Sequence, residues 1–208
     1  MKRFWILLVV ATLAMANVAS AQIFVKVNAL YALAGVINPQ VEGVIAPHST
    51  LSIDATYSPW KSIKGKHAEF CIFQGEYRYY FRQAARGWYV SVNAGMTGFD
   101  INKPQFFKNG LISFKKEYGK GFGFMIGAGA GYQHTFRERW VVDAFIAFDF
   151  LRSWYNGYNA NGEIVMNPQG HEHYKHPDPF NGSAECVPKI GVSLGYRIFD
   201  PARHRKEK

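Results

Sequence analysis

The sequence predicts an all-β chain: an eight-stranded antiparallel transmembrane β-barrel preceded by a cleaved signal peptide. Three observations predict it. The first residues form an export leader. The remainder alternates apolar and polar residues with period 2 rather than 3.6. The polar faces of these segments carry charges of both signs, which a narrow barrel can pair against one another. Composition agrees. A length of 208 residues suits one domain, and 24 Lys and Arg against 15 Asp and Glu with 16 % aromatics exclude a disordered chain. The 2 Cys exclude a disulfide-rich scaffold.

The leader occupies residues 1–21. Met1, Lys2 and Arg3 are its basic start, an apolar run follows to Met15, and Ala19, Ser20 and Ala21 supply small residues ahead of Gln22. The run is shorter than the ~20 residues a spanning helix needs. Cleavage removes Lys2 and Arg3 and leaves the chain net positive. Export would permit oxidised Cys. The best later apolar run, 140–151, is cut by Asp143 and Asp149, so any membrane crossing falls to strands.

Eight segments alternate. Segment 23–33 sets Val25, Val27, Ala29 and Tyr31 against Lys26 and Asn28. Segment 40–46 sets Val41, Gly43 and Ile45 against Glu42, and 51–57 sets Leu51, Ile53, Ala55 and Tyr57 against Asp54. Segment 69–81 sets Cys71, Phe73, Tyr77 and Tyr79 against Gln74, Glu76 and Arg78. Segment 88–99 sets Trp88, Val90, Val92 and Met96 against Tyr89, Ser91 and Asn93. In 119–132, Phe122, Phe124, Ile126 and Tyr132 oppose Gly119, Gly121, Gly123, Gly127, Gly129 and Gly131, interrupted by Met125. Glycine weakens a strand, so this face is expected to lie where bulky groups from elsewhere must fit. Segment 139–152 sets Trp140, Val142, Ile146, Phe148 and Phe150 against Asp143 and Asp149. Segment 187–199 sets Ile190, Val192, Leu194, Tyr196 and Ile198 against Lys189 and Arg197.

The second faces thus collect Lys26, Glu42, Asp54, Glu76, Arg78, Asp143, Asp149, Lys189 and Arg197 as an expected polar network in the lumen. A soluble fold with a wet outer face is the alternative. Aromatics near the segment ends favour the membrane: Tyr57, Trp60, Tyr79, Tyr80, Phe81, Trp88, Tyr132, Trp140, Trp154 and Tyr155. Connections 47–50, 83–87 and 135–138 are short, whereas 58–66, 100–118 and 153–186 are long, the asymmetry of outer-membrane barrels. That pattern places both termini in the periplasm. Barrel residues 22–199 end on Tyr196, Ile198 and Phe199, followed by a basic tail, 200–208, with Arg203, Arg205, Lys206 and Lys208.

Several stretches carry a family resemblance: Asn28-Ala-Leu-Tyr31, Tyr57-Ser-Pro-Trp60, Gln74-Gly-Glu-Tyr-Arg-Tyr-Tyr-Phe81, Gly127-Ala-Gly-Ala-Gly-Tyr-Gln133, Arg139-Trp140 and Pro188-Lys-Ile-Gly-Val-Ser-Leu194. Together they resemble the domain of unknown function 3575 family of Bacteroides-type outer-membrane proteins. The resemblance implies an eight-stranded barrel broadly like the transmembrane part of outer-membrane protein A. It implies no established activity and carries over no catalytic residue. Members often have a Cys pair before the last strand, where this chain has Cys186 alone.

Other residue sets carry candidate chemistry. His171, His173 and His176 have the ligand type for zinc or another transition metal, in a loop broken by Pro177 and Pro179. Cys71 and Cys186 are a candidate disulfide, but the barrel would hold them on opposite walls, and Cα atoms must approach within about 7 Å. Glu76, Arg78, Asp143, Asp149 and Arg197 contain the paired carboxylates of acid–base catalysis, yet in a narrow barrel they read as a salt-bridged plug. His67 with Glu69 and Ser62 is a weaker set.

The expectation is therefore a monomeric outer-membrane barrel with a structural or surface-interaction role, no cofactor and no catalytic activity. Its partners would be outer-membrane lipid and lipopolysaccharide, and an extracellular ligand or protein at the loops. Export removes access to nucleic acid. A lipid-modifying enzyme, a small pore and a soluble lipocalin-like binder are the alternatives.

Overall fold

A computed structural model describes residues 22–63, 66–106, 112–166 and 184–200. Nine strands and one short helix follow in order: β1 Ile23–Asn28, α1 Ala29–Leu33, β2 Pro39–Ala46, β3 Ser49–Ile63, β4 Lys66–Tyr80, β5 Gly87–Phe106, β6 Ile112–Phe136, β7 Trp140–Tyr158, β8 Ile164–Met166 and β9 Ala184–Phe199. Each strand from β1 to β7 pairs antiparallel with the next, β7 pairs β9, and β9 returns to β1. Eight antiparallel strands therefore close a ring, with β8 attached to the outside end of β7.

The period-2 pattern sets which way side chains point. Val25, Ile53, Phe73, Val92, Phe124, Ile146, Phe148 and Ile190 are exposed on the outside. Lys26, Glu42, Arg78, Gln133 and Asp143 are buried inside. A soluble domain puts its apolar face inward, and this barrel does the reverse. A buried apolar cluster, Phe24, Ala85 and Val141 with Val44 against it, sits at the end where the short turns are.

Three expectations are corrected. The first segment does not run as a strand to residue 33. It stops at Asn28, whose side-chain oxygen accepts from the backbone N–H of Leu30 (3.0 Å) and Tyr31 (3.4 Å) and so caps α1. Ala29 and Tyr31 are therefore helical. Next, the long connections are shorter than read. Residues 58–63 continue β3, 100–106 continue β5, 112–118 precede the barrel part of β6, and 153–158 continue β7. Cross-strand pairing extends these hairpins past the point where apolar alternation ends. Finally, Tyr80 and Tyr155 do not join an outer aromatic set: both are buried and face inward.

Above the Asn28–Ser193 pair, β9 has no strand on its β1 side among the described residues. Above Gln40–Asp54, β3 meets that gap only through the Ile37–Tyr57 bridge. The helix α1 fills the space and packs against β9. The indole of Trp60 ties it down by donating to the Ala34 carbonyl at 3.0 Å.

Candidate functional site: the ionic interior of the barrel

Alternation on four strands brings charges to one level of the lumen. Lys26 of β1 is its hub. Its ammonium pairs with Glu42 and Asp143 (3.1 Å for the latter) and donates to Gln133 Oε1 at 2.7 Å. Arg78 of β4 reaches Asp143 Oδ2 at 2.6 Å through Nη1 and Glu76 Oε2 at 2.7 Å through Nη2. Phenols and hydroxyls complete the acceptors. Tyr80 donates to Glu42 at 2.9 Å, Thr50 to Glu42 at 2.5 Å and Tyr89 to Asp143 Oδ1 at 2.8 Å. The Arg78 guanidinium also lies 4.7 Å from the Tyr89 ring centre, a cation–π distance. Lys26, Glu42, Arg78 and Asp143 are all 0–1 % exposed. Charges this deep are tolerable only when paired and hydrogen-bonded on every side.

A second set lies further along the barrel. Lys189 donates to Gln74 Oε1 at 2.6 Å and stands 3.7 Å from Asp54. Gln74 in turn donates to Asn93 (2.7 Å) and Asp149 (3.1 Å), and Asn38 donates to Asp54 at 3.1 Å. A cavity of about 10 Å³ lined by Asn38, Asp54, Glu76, Arg78 and Lys189 lies between the two sets. That is room for about one water.

The structure thus brings Lys26, Glu42, Glu76, Arg78 and Asp143 together, and Asp54, Asp149 and Lys189 into a second group. Arg197 is in neither. It lies at the short-turn end, paired with Asp200 at 3.0 Å and donating to the Glu138 carbonyl. Its inward parity was right, but its depth was one that parity alone does not report. With Arg86, Glu138 and Asp200 it lines an open cup of about 590 Å³.

The expected network held charged residues alone, and the structure adds Gln74, Asn93, Gln133, Tyr80 and Tyr89 to it. Gln74, Asn93 and Tyr89 stand on the polar faces given above, Tyr80 shares the parity of Arg78 and Gln133 that of the β6 glycines, and that parity was the signal. The glycine face of β6 has the expected use. A Cβ on Gly131 would meet the Tyr89 phenol at 2.5 Å and the Ala144 carbonyl at 2.7 Å, and one on Gly123 would meet Leu151 at 2.7 Å.

Cys71 and Cys186 are free and exposed. They sit on β4 and β9, four strands apart round the ring in either direction, so no disulfide joins them. His171, His173 and His176, and the tail 201–208, lie outside the described residues. Among the described residues no cluster of His, Cys, Asp and Glu has the make-up of a metal site. His67 is bound up with Asp100 at 2.9 Å and stacks on Tyr118 at 4.0 Å, on the outside of the barrel.

Ring closure and a buried ionic interior define the class: an eight-stranded antiparallel β-barrel turned polar side in. The family model described as protein of unknown function (DUF3575) matches residues 4–183, and the chain belongs to that family. Among solved structures it is similar to the N-terminal β-barrel domain of Pseudomonas aeruginosa OprF, at 13 % identity and a TM-score of 0.37, covering 85 % of this chain and 95 % of that one. No curated protein matches.

Proposed function

We propose that the chain is an outer-membrane barrel, exported by a cleaved leader, that works as a closed structural and surface-interaction element rather than as an enzyme or a pore. The inversion of its faces carries the reading. In water, exposing Phe73, Val92, Phe124 and Phe148 while burying Lys26, Glu42, Arg78 and Asp143 would be costly on both counts. In hydrocarbon the same arrangement is favourable, because ring pairing satisfies the backbone. The outward apolar band on β6, from residue 122 to 132, matches the roughly 9–11 residues that a tilted spanning strand needs. Trp88, Tyr132, Trp140 and Tyr196 gather at one border and Trp60 and Trp154 near the other, where amphipathic rings settle.

Short turns then face the periplasm with both termini, and the long hairpins face outward as the surface that meets external partners. The basic tail would touch periplasmic headgroups. The small interior cavity and the Phe24–Ala85–Val141 cluster argue against a conducting path. The inner carboxylates are engaged by Lys26 and Arg78, which argues against acid–base catalysis.

Membranes should be fractionated and the protein run on a gel with and without boiling. A faster unboiled band in the outer-membrane fraction is expected. A single band in soluble periplasm would reject the reading and turn attention to a soluble ligand-binding barrel. Phe148→Arg, in register with Ala128 near the middle of the apolar band, should lower membrane yield, since a cation at the midplane costs ~2–4 kcal/mol.

A further inference from the structure

The outside of the barrel carries one cation that its surroundings do not explain. Arg152 points outward from β7 opposite Phe124, between exposed Phe150 and Trp154. Its guanidinium lies 5.6 Å from the Trp154 ring centre. Its Nη1 is buried and has no hydrogen-bond partner, and no ion pair among the described residues includes it. A bare donor at the edge of an apolar band is expensive, so Arg152 is placed to receive an anion from outside.

The neighbouring outward rungs add the rest of a site. Phe122 and Trp154 face one another and stack at 5.7 Å with 23° between planes. Phe124 closes edge-on to Trp154 at 6.2 Å. One rung further out, Lys120 is exposed opposite Asn156. Asp100, the carboxylate in register with Lys120 on β5, is engaged by His67. The order along the wall is cation, aromatic shelf, cation, then an apolar slope. Lys120 and Phe124 are four residues apart, so the two cationic rungs stand about 13 Å apart along the strand. A single phosphate does not span that. Two phosphorylated sugars do.

We propose that this face of β6 and β7 binds a bis-phosphorylated sugar lipid of the outer leaflet, the chemistry of the lipopolysaccharide anchor. One phosphate takes the Arg152 guanidinium and the other takes Lys120. The sugars lie over Phe122 and Trp154, and the acyl chains run down Phe124 and Phe150. The proposal rests on the outer-membrane reading.

The test uses the mature protein purified from membranes, with retained lipid read by native mass spectrometry. The probes are diphosphorylated lipid A, its dephosphorylated form and phosphatidylglycerol. The wild type should retain diphosphorylated lipid A in preference to both others. R152Q and K120Q should each weaken retention by roughly tenfold, the loss expected for a hydrogen bond to a charged group. Trp154→Leu, which leaves both cations, should weaken it as well and serves if R152Q does not fold. Equal retention by R152Q, or equal retention of phosphatidylglycerol, would overturn the assignment. Failure of the membrane reading looks different: the wild type would then lack the faster unboiled band altogether.

Discussion

The wall made by β5, β6 and β7 and the wall made by β1 and β2 follow opposite plans. The first is tall, with strands of 20, 25 and 19 residues, and β6 turns mostly glycine inward. The second is low, with strands of 6 and 8 residues, and turns Lys26, Asn28, Gln40 and Glu42 inward. The tall wall is held by backbone: β6 pairs with β5 and β7 along almost all its length. The low wall has little ladder to hold it and is joined to the others through Lys26 and Glu42. The difference shows how a narrow barrel fills its interior. One side gives up side chains so that those of the other strands fit, and the side with least backbone pairing supplies the ionic hub.

The largest effect should come from breaking the glycine wall. Gly131→Leu puts a side chain where Tyr89 and the Ala144 carbonyl already stand. It should abolish the faster unboiled band. Gly43→Val on the low wall, where a Cβ meets nothing within 4 Å, should leave that band intact. Gly43 faces outward and so controls for the loss of a glycine as such; a band retained by Gly131→Leu would overturn the packing of the glycine wall.

Next is the bond between the walls. Asp143→Ala strands Lys26 and Arg78 in the lumen without their shared acceptor. Removing one partner of a buried ion pair costs ~3–5 kcal/mol. Urea titration of the folded barrel in vesicles should show that loss, and a shift below about 1 kcal/mol would mean the pair is wetter than its burial implies. A smaller change sharpens the picture of the low wall. Asn28→Ala removes the cap that ends β1 and should cost ~0.5–2 kcal/mol in the same titration, with the lumen network retained. Smallest of all, Cys71→Ser and Cys186→Ser should each leave non-reducing mobility and stability unchanged, because both thiols are free.

Much of this was legible in the residues, and the reasons are specific. Alternation marks Arg78, Asp143 and Lys26 as facing one way because a strand has only two faces. The glycines of β6 announce close approach because nothing else justifies them in a strand. Depth was not legible. Arg197 shares the parity of Lys189, yet it stands at the rim among Glu138 and Asp200. The end of β1 was also hidden. Val25-Lys-Val-Asn28 alternates smoothly into Ala29-Leu-Tyr31, and only the reach of the Asn28 oxygen back to two amides turns the chain into α1. The hairpins of β5, β6 and β7 extend past their apolar residues because backbone pairing needs no hydrophobic pattern. The neutral members of the network, Gln74 and Gln133, are visible only once inward positions are read for hydrogen bonding as well as charge.

The placement of Lys26 bears on the order in which the chain assembles. Its partners Gln133 and Asp143 lie 107 and 117 residues away. Strands β2 to β7 zip through neighbouring hairpins, while β1 meets β9 only when the two ends of the sheet come together. Contacts of such sequence separation form late, since loop closure must come before them. Until then Asp143 lacks the Lys26 ammonium, whereas Glu42 on the neighbouring strand already faces it. Closure of β1 on β9 brings that ammonium to Asp143 and Gln133 and completes the circle in one event. Lys26 thus ties the first strand to the far wall, and a ring that leaves that strand out forgoes the pairing with Asp143 and Gln133.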